Sequence, residues 1–125
     1  MVYTVTFNPA LDYVMNLSEL SADDINRTES EELYYGGKGI NVSAILAQLE
    51  IPNIALGFAA GFTGKKLKEM LDKDGIKNDF IELEEGFTRI NVKLKYGKEL
   101  DINANGPEIT EDKLTELFSS LGRLK

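Results

Sequence analysis

The sequence predicts an α/β fold in which strand-helix-strand units build a parallel sheet and a separate β-hairpin stands outside it. Three observations carry that expectation. A glycine-rich turn at 35–41 runs directly into an apolar helical stripe. The order of apolar strand, glycine turn and amphipathic helix then returns at 53–75. From residue 88 onward the apolar period changes from helical to alternating, which is the pattern of a hairpin with one apolar face.

Length and composition bound this expectation. One domain at most fits in 125 residues. With 42% apolar and 28% charged residues the chain can bury a modest core, and no low-complexity tract points to disorder. Twenty-one acidic against 14 basic residues leave a net charge of −7. That balance argues against nucleic acid or an anionic membrane surface as a partner, so an anionic ligand needs a local basic pocket. The absence of cysteine excludes disulfides and thiolate metal sites, and the absence of histidine removes the usual metal ligand and proton shuttle. Catalysis would fall to carboxylates and lysines. Met1 leads straight into a strand-like run, with no leader pattern and no long apolar span, so the expected location is the cytoplasm.

In chain order, the β-branched and aromatic run Val2 to Phe7 reads as a buried strand stopped by Asn8-Pro9. Asp12 is expected just past that strand end, where open α/β sheets gather ligands; an ordinary turn aspartate is an equal reading. Tyr13 to Leu17 suggests a short strand, Ser21 to Asn26 a polar connection, and Arg27 to Tyr35 a second peripheral strand carrying Glu29, Glu31 and Glu32. In Tyr35-Gly36-Gly37-Lys38-Gly39-Ile40-Asn41-Val42-Ser43, glycines permit close backbone approach to a ligand. Val42, Ile45, Leu46 and Leu49 follow at helical spacing, so the turn opens a helix whose free N–H groups and dipole favour an anion. A Gly-Gly pair alone is more often a plain helix start. Lys38 and Asn41 within it shift the balance toward binding.

Past Pro52, Asn53 to Ala59 forms a second apolar strand, and Gly61-Phe62-Thr63-Gly64 opens a helix with Leu67, Met70 and Leu71 inward and Gly75 at its stop. Ala59 to Lys66 has the outline of a phosphate-binding P-loop, but Ala59 replaces the first glycine and Lys66 the magnesium-binding hydroxyl, so that reading is rejected. Phe80 to Leu83 is a third core strand. The hairpin then sets Ile90, Val92 and Leu94 against Leu100, Ile102 and Ala104 around Tyr96-Gly97-Lys98. Arg89, near its base, can fork onto a phosphate or remain a surface arginine. After Gly106-Pro107, Thr110 caps a helix whose buried stripe is Leu114, Leu117, Phe118 and Leu121.

Taken together, Asn8-Pro9-Ala10-Leu11-Asp12, Asn26-Arg27-Thr28, Gly36-Gly37-Lys38-Gly39-Ile40-Asn41-Val42, Ala60-Gly61-Phe62-Thr63-Gly64, Thr88-Arg89-Ile90-Asn91-Val92 and Gly106-Pro107-Glu108-Ile109 resemble the amino-terminal part of the PfkB branch of the ribokinase-like sugar kinases. Each motif is weak alone. Six in order, covering nearly the whole chain, are specific. Two positions depart from the family pattern: Tyr35, where relatives often carry proline, and Asp101-Ile102-Asn103, where glutamate tends to precede the asparagine by two residues.

The resemblance implies a ribokinase-like three-layer α/β fold, present in part, with a small β-sheet lid. The core would comprise 1–10, 36–86 and 107–125, and the lid 11–35 and 87–106. It implies ATP- and Mg2+-dependent phosphorylation of a sugar phosphate, with fructose 1-phosphate first and tagatose 6-phosphate or fructose 6-phosphate as alternatives. Asp12 would grip sugar hydroxyls, Gly36, Gly37, Gly39 and Asn41 would hold the sugar, and Lys38, Arg89 and Arg27 would face its phosphate. The family's aspartate base lies in a Gly-Ala-Gly-Asp motif that this sequence does not contain. A fragment carrying the sugar-binding half, inactive alone, is therefore expected, with a homodimer clasped through the lid. A non-catalytic sugar-phosphate binding module and a dimerising fragment are the readings from other classes.

Overall fold

The computed structural model describes residues 1–124. In chain order its elements are β1 (Val2–Thr6), β2 (Ala10–Asn16), β3 (Ser30–Gly36), α1 (Lys38–Gln48), β4 (Asn53–Ala60), α2 (Gly61–Lys73), β5 (Asn78–Leu83), β6 (Arg89–Lys95), β7 (Glu99–Ile102) and α3 (Glu111–Gly122). Two sheets result. A three-stranded sheet runs β1-β4-β5, all parallel, and a four-stranded sheet runs β3-β2-β6-β7. In the second sheet β2 and β6 are parallel while the outer pairs are antiparallel.

The steps from β1 to β4 and from β4 to β5 go the same way across the sheet, and right-handed connections then place α1 and α2 on one face. Alternation along β4 separates the two faces. Ala55 and Ala59 join Ile40, Leu67, Leu71 and Phe80 beneath α1 and α2, while Phe58 and Ala60 join Leu83 and Leu117 beneath α3. Burial on both faces explains why β4 reads as a continuous apolar run.

Helix α1 corrects the sequence expectation. Val42, Ile45 and Leu49 are 48%, 57% and 63% exposed, whereas Ile40 and Ser43 are fully buried and Ala44 and Ala47 pack on the core. Positions 40, 43, 44 and 47 have the same helical spacing half a turn away, so a helix apolar on most sides leaves its phase open. The small side chains win because they let α1 sit close on β1, where the Thr4 and Ser43 hydroxyls share a 2.6 Å hydrogen bond. In α3, Thr110 Oγ1 accepts from the Lys113 N–H as expected, Leu117 is buried, and Leu114 and Leu121 pack beside it. Phe118, one residue further round the helix, turns outward at 56% exposure.

The expected hairpin forms, with Val92 opposite Ile102, Leu94 opposite Leu100 and Gly97 at φ 83° in its turn. It is not an isolated ribbon, because β6 lies in register along β2. Tyr13, Met15, Ile90, Val92 and Leu94 form a half-buried apolar face, and Leu100 and Ile102 at its edge are exposed. Two polar clamps join this sheet to the core. Asn8 Nδ2 donates to the Asn105 carbonyl at 2.8 Å. Thr88, fully buried, accepts from the Ala60 N–H through Oγ1 at 3.0 Å, and its carbonyl accepts from Thr63 Oγ1 at 2.6 Å.

Candidate functional site

The two sheets meet where Ala10 of β2 is flanked by Gly36 of β3 and Arg89 of β6. Asp12 is the third residue of β2, not a turn residue beyond β1 as its position after Asn8-Pro9 suggested. The reason is tertiary: β2 is paired on both sides by segments distant in sequence, which no local signal announces. Its carboxylate lies over Gly36. A Cβ on Gly36 would stand 2.5 Å from Asp12 Oδ2 and 2.9 Å from Cγ, so only glycine leaves room. Asp12 Oδ1 also accepts from Asn91 Nδ2 at 3.2 Å, and Asn91 Oδ1 accepts from the Ala104 N–H at 3.1 Å.

Arg89 Nη1 donates to the Ala104 carbonyl at 3.3 Å, while its Nε is buried without a partner. The turn from β3 into α1 passes through Gly37 at φ 127°, a backbone region that side chains disfavour, and Gly37 caps the helix without a side-chain hydrogen bond. The Asn41 N–H donates to the Gly37 carbonyl at 2.9 Å. The N–H groups of Lys38, Gly39 and Ile40 therefore precede the helical ladder and have no acceptor within it. No acidic residue occupies the first turn of α1, so the helix dipole and the exposed Lys38 both favour an anion there. Asn41 is exposed on the same turn.

The site residues do not all converge. Asp12, Gly36, Gly37, Lys38, Gly39, Asn41 and Arg89 lie around the junction of the sheets. Arg27 sits in the connection beyond Asn16, at the other end of β2, about 20 Å along the strand from Ala10 at ~3.3 Å per residue. Two residues that support the junction were not singled out as site residues. Asn91, 7% exposed, orients Asp12, and Thr88 fixes the base of β6. Asn91 occupies an ordinary polar position between Ile90 and Val92 in the alternation, and Thr88 precedes the strand, so neither carried a local signal that set it apart. Rejection of the P-loop has a structural basis, since α2 starts at Gly61 directly after Ala60 of β4 and leaves no loop to wrap a phosphate. Among the described residues no group of three or more acidic, histidine or cysteine side chains is placed to hold a metal ion.

Residues 5–124 match the pfkB family carbohydrate kinase pattern. The chain belongs to the pfkB family. Its curated relatives include a 1-phosphofructokinase from Borreliella burgdorferi, 44% identical over 99% of this chain and 40% of the relative. A D-tagatose-1-phosphate kinase from Bacillus licheniformis is 39% identical over 99% of this chain and 40% of the relative. Among solved structures, a phosphofructokinase from Staphylococcus aureus superposes with a TM-score of 0.92 at 46% identity, covering all of this chain and 40% of that one. A ribokinase from Giardia lamblia, at 14% identity and a TM-score of 0.79, shares the fold. The ribokinase-like fold expected from the sequence is thus the one observed. This pfkB chain spans about 40% of the length of the relatives it matches.

Proposed function

We infer that this chain is the sugar-binding part of an ATP-dependent kinase that phosphorylates the free terminal hydroxyl of fructose 1-phosphate to give fructose 1,6-bisphosphate. The observation that carries the reading is the Asp12 carboxylate laid over Gly36, beside the uncapped start of α1 and the Arg89 guanidinium. Asp12, already oriented by Asn91, accepts hydrogen bonds from sugar hydroxyls. Backbone N–H groups from Lys38 to Ile40, with Asn41, hold sugar oxygens, and Lys38 and Arg89 face the existing phosphate. Fixing the acceptor in one pose is this chain's contribution, because phosphoryl transfer rests mainly on positioning and charge neutralisation. ATP with Mg2+ would supply the phosphoryl group. Among the described residues no group of three or more acidic, histidine or cysteine side chains is placed to hold a metal ion, and neither the nucleotide nor the proton-accepting aspartate is assigned to this chain.

The division into a core and a lid, at the boundaries expected from the sequence, is supported by the two separate sheets. The exposed Leu100 and Ile102, continuous with the half-buried Ile90, Val92 and Leu94, support a clasp between two lids. We place the protein in the cytoplasm, and among the described residues no helix is long and apolar enough to cross a membrane. A second acceptor, D-tagatose 1-phosphate, is favoured by the name of the Bacillus licheniformis relative. Both acceptors carry phosphate on carbon 1. Calorimetric titration of the chain with fructose 1-phosphate, D-tagatose 1-phosphate and fructose 6-phosphate tests the reading. Binding of a 1-phosphate in preference to the 6-phosphate, without ATP turnover, is expected; no binding, or preference for the 6-phosphate, overturns it.

A further inference from the structure

Strand β3 is an edge of its sheet, hydrogen-bonded only to β2, and it ends in the turn that opens the candidate site. Between β3 and α2 lies an open cleft of about 500 Å³ lined by Leu33, Lys66, Glu69 and Lys73. Little packing holds the strand there. Tyr35 and Asp74 also line this cleft: the Tyr35 ring packs on the main core cluster and its hydroxyl donates to Asp74 Oδ2 at 2.7 Å. Asp74 is itself the C-cap of α2, with its backbone N–H bonded to the Met70 carbonyl at 3.2 Å. Among the described residues this is the one side-chain hydrogen bond between β3 and α2. Gly36, where a side chain would collide with the Asp12 carboxylate, is the next residue along the chain.

We propose that Tyr35 and Asp74 form a latch that holds the edge of the lid sheet on α2 and so fixes Gly36 beneath Asp12. Tyr35 is a positioning residue in this arrangement: it reaches no ligand and acts through the backbone of its neighbour. The link joins a rigid helix terminus to a strand that has only one paired edge, so its loss frees β3 to pivot on Gly37. Burial first, and the bond to Asp74 second, push the Tyr35 hydroxyl up to about 12. Tyr34 supplies an internal comparison, because its hydroxyl bonds Glu32 within the same strand and ties nothing to the core.

Hydrogen-deuterium exchange of the chain tests the latch through peptides covering 10–16 and 30–36. Tyr35→Phe and Asp74→Asn are expected to speed exchange there by about threefold to tenfold, the equivalent of one lost hydrogen bond, with Tyr34→Phe unchanged. Exchange unaltered in both latch variants, or equally accelerated by Tyr34→Phe, overturns the proposal. The positioning role rests on the sugar-site reading and is tested by titrating fructose 1-phosphate into the same proteins. Weaker affinity in Tyr35→Phe and Asp74→Asn but not in Tyr34→Phe supports it, and equal affinity in all of them overturns it. Should the unaltered chain bind no sugar phosphate, the functional reading fails by itself, and the exchange rates still decide the latch.

Discussion

Replacing Gly36 by alanine tests the central contact of the site. The new Cβ would stand 2.5 Å from Asp12 Oδ2, 2.9 Å from Cγ and 3.0 Å from Oδ1. Unstrained contacts need about 3.5 Å, so the carboxylate must retreat by about 1 Å. That retreat displaces the carboxylate whose Oδ1 accepts from Asn91 Nδ2 at 3.2 Å. Overpacking of this kind costs about 1–3 kcal/mol of folding stability. A misplaced charged acceptor should also weaken sugar-phosphate binding by about 2 kcal/mol, or about 30-fold. Urea denaturation followed by circular dichroism reads the first effect and calorimetry the second. The cause is isolated by a second background: with Asp12→Ala already present, nothing remains for the new methyl to strike, and Gly36→Ala should become nearly neutral. An equal destabilisation with and without the Asp12 side chain would refute the contact.

Further outcomes follow from single side chains. Thr6 Oγ1 is buried without a hydrogen-bond partner, so Thr6→Val should leave the denaturation midpoint unchanged or raise it. Thr88→Val removes the acceptor for the Ala60 N–H and should cost about 1–3 kcal/mol in the same measurement, because a buried donor is stranded. Tyr35 titrates at about 12 in the fold against an ordinary 10.0, so its contribution to stability is intact below pH 10 and is lost as pH rises through 12; Tyr35→Phe should flatten that part of the stability profile. Val92→Lys places a charge on the half-buried apolar face of the lid and should abolish any dimer detected by light scattering, whereas dimerisation equal to that of the unaltered chain would exclude the clasp.

Locally encoded features were the legible ones. The hairpin announced its register through alternation around Gly97, α2 through Leu67 and Leu71, and α3 through the Thr110 cap. Motif spacing brought out the glycine turn and Asp12 before their contact was visible. Long-range choices were not legible. Helix α1 offers two equally spaced faces, and the sheet selects the small one through Thr4 and Ser43. The length of β2 depends on partners whose hydrogen bonds come from elsewhere in the chain, and so does the support Asn91 gives to Asp12. The resemblance named Arg27 alongside Arg89, and of the two Arg89 lies at the junction.

The two sheets are threaded through one another in sequence. The chain visits the core for β1, the second sheet for β2 and β3, the core again for β4 and β5, the second sheet for β6 and β7, and the core once more for α3. Neither sheet is a contiguous stretch, so neither can be excised, transplanted or deleted as a cassette. The bond from Asn91 to Asp12 closes a loop across 79 positions, a long-range closure whose entropic cost is expected to slow assembly of the site in folding. Mutations that delay β6 should therefore lengthen the time during which β2 and β3 have no completed sheet to join, even when the final stability is unchanged.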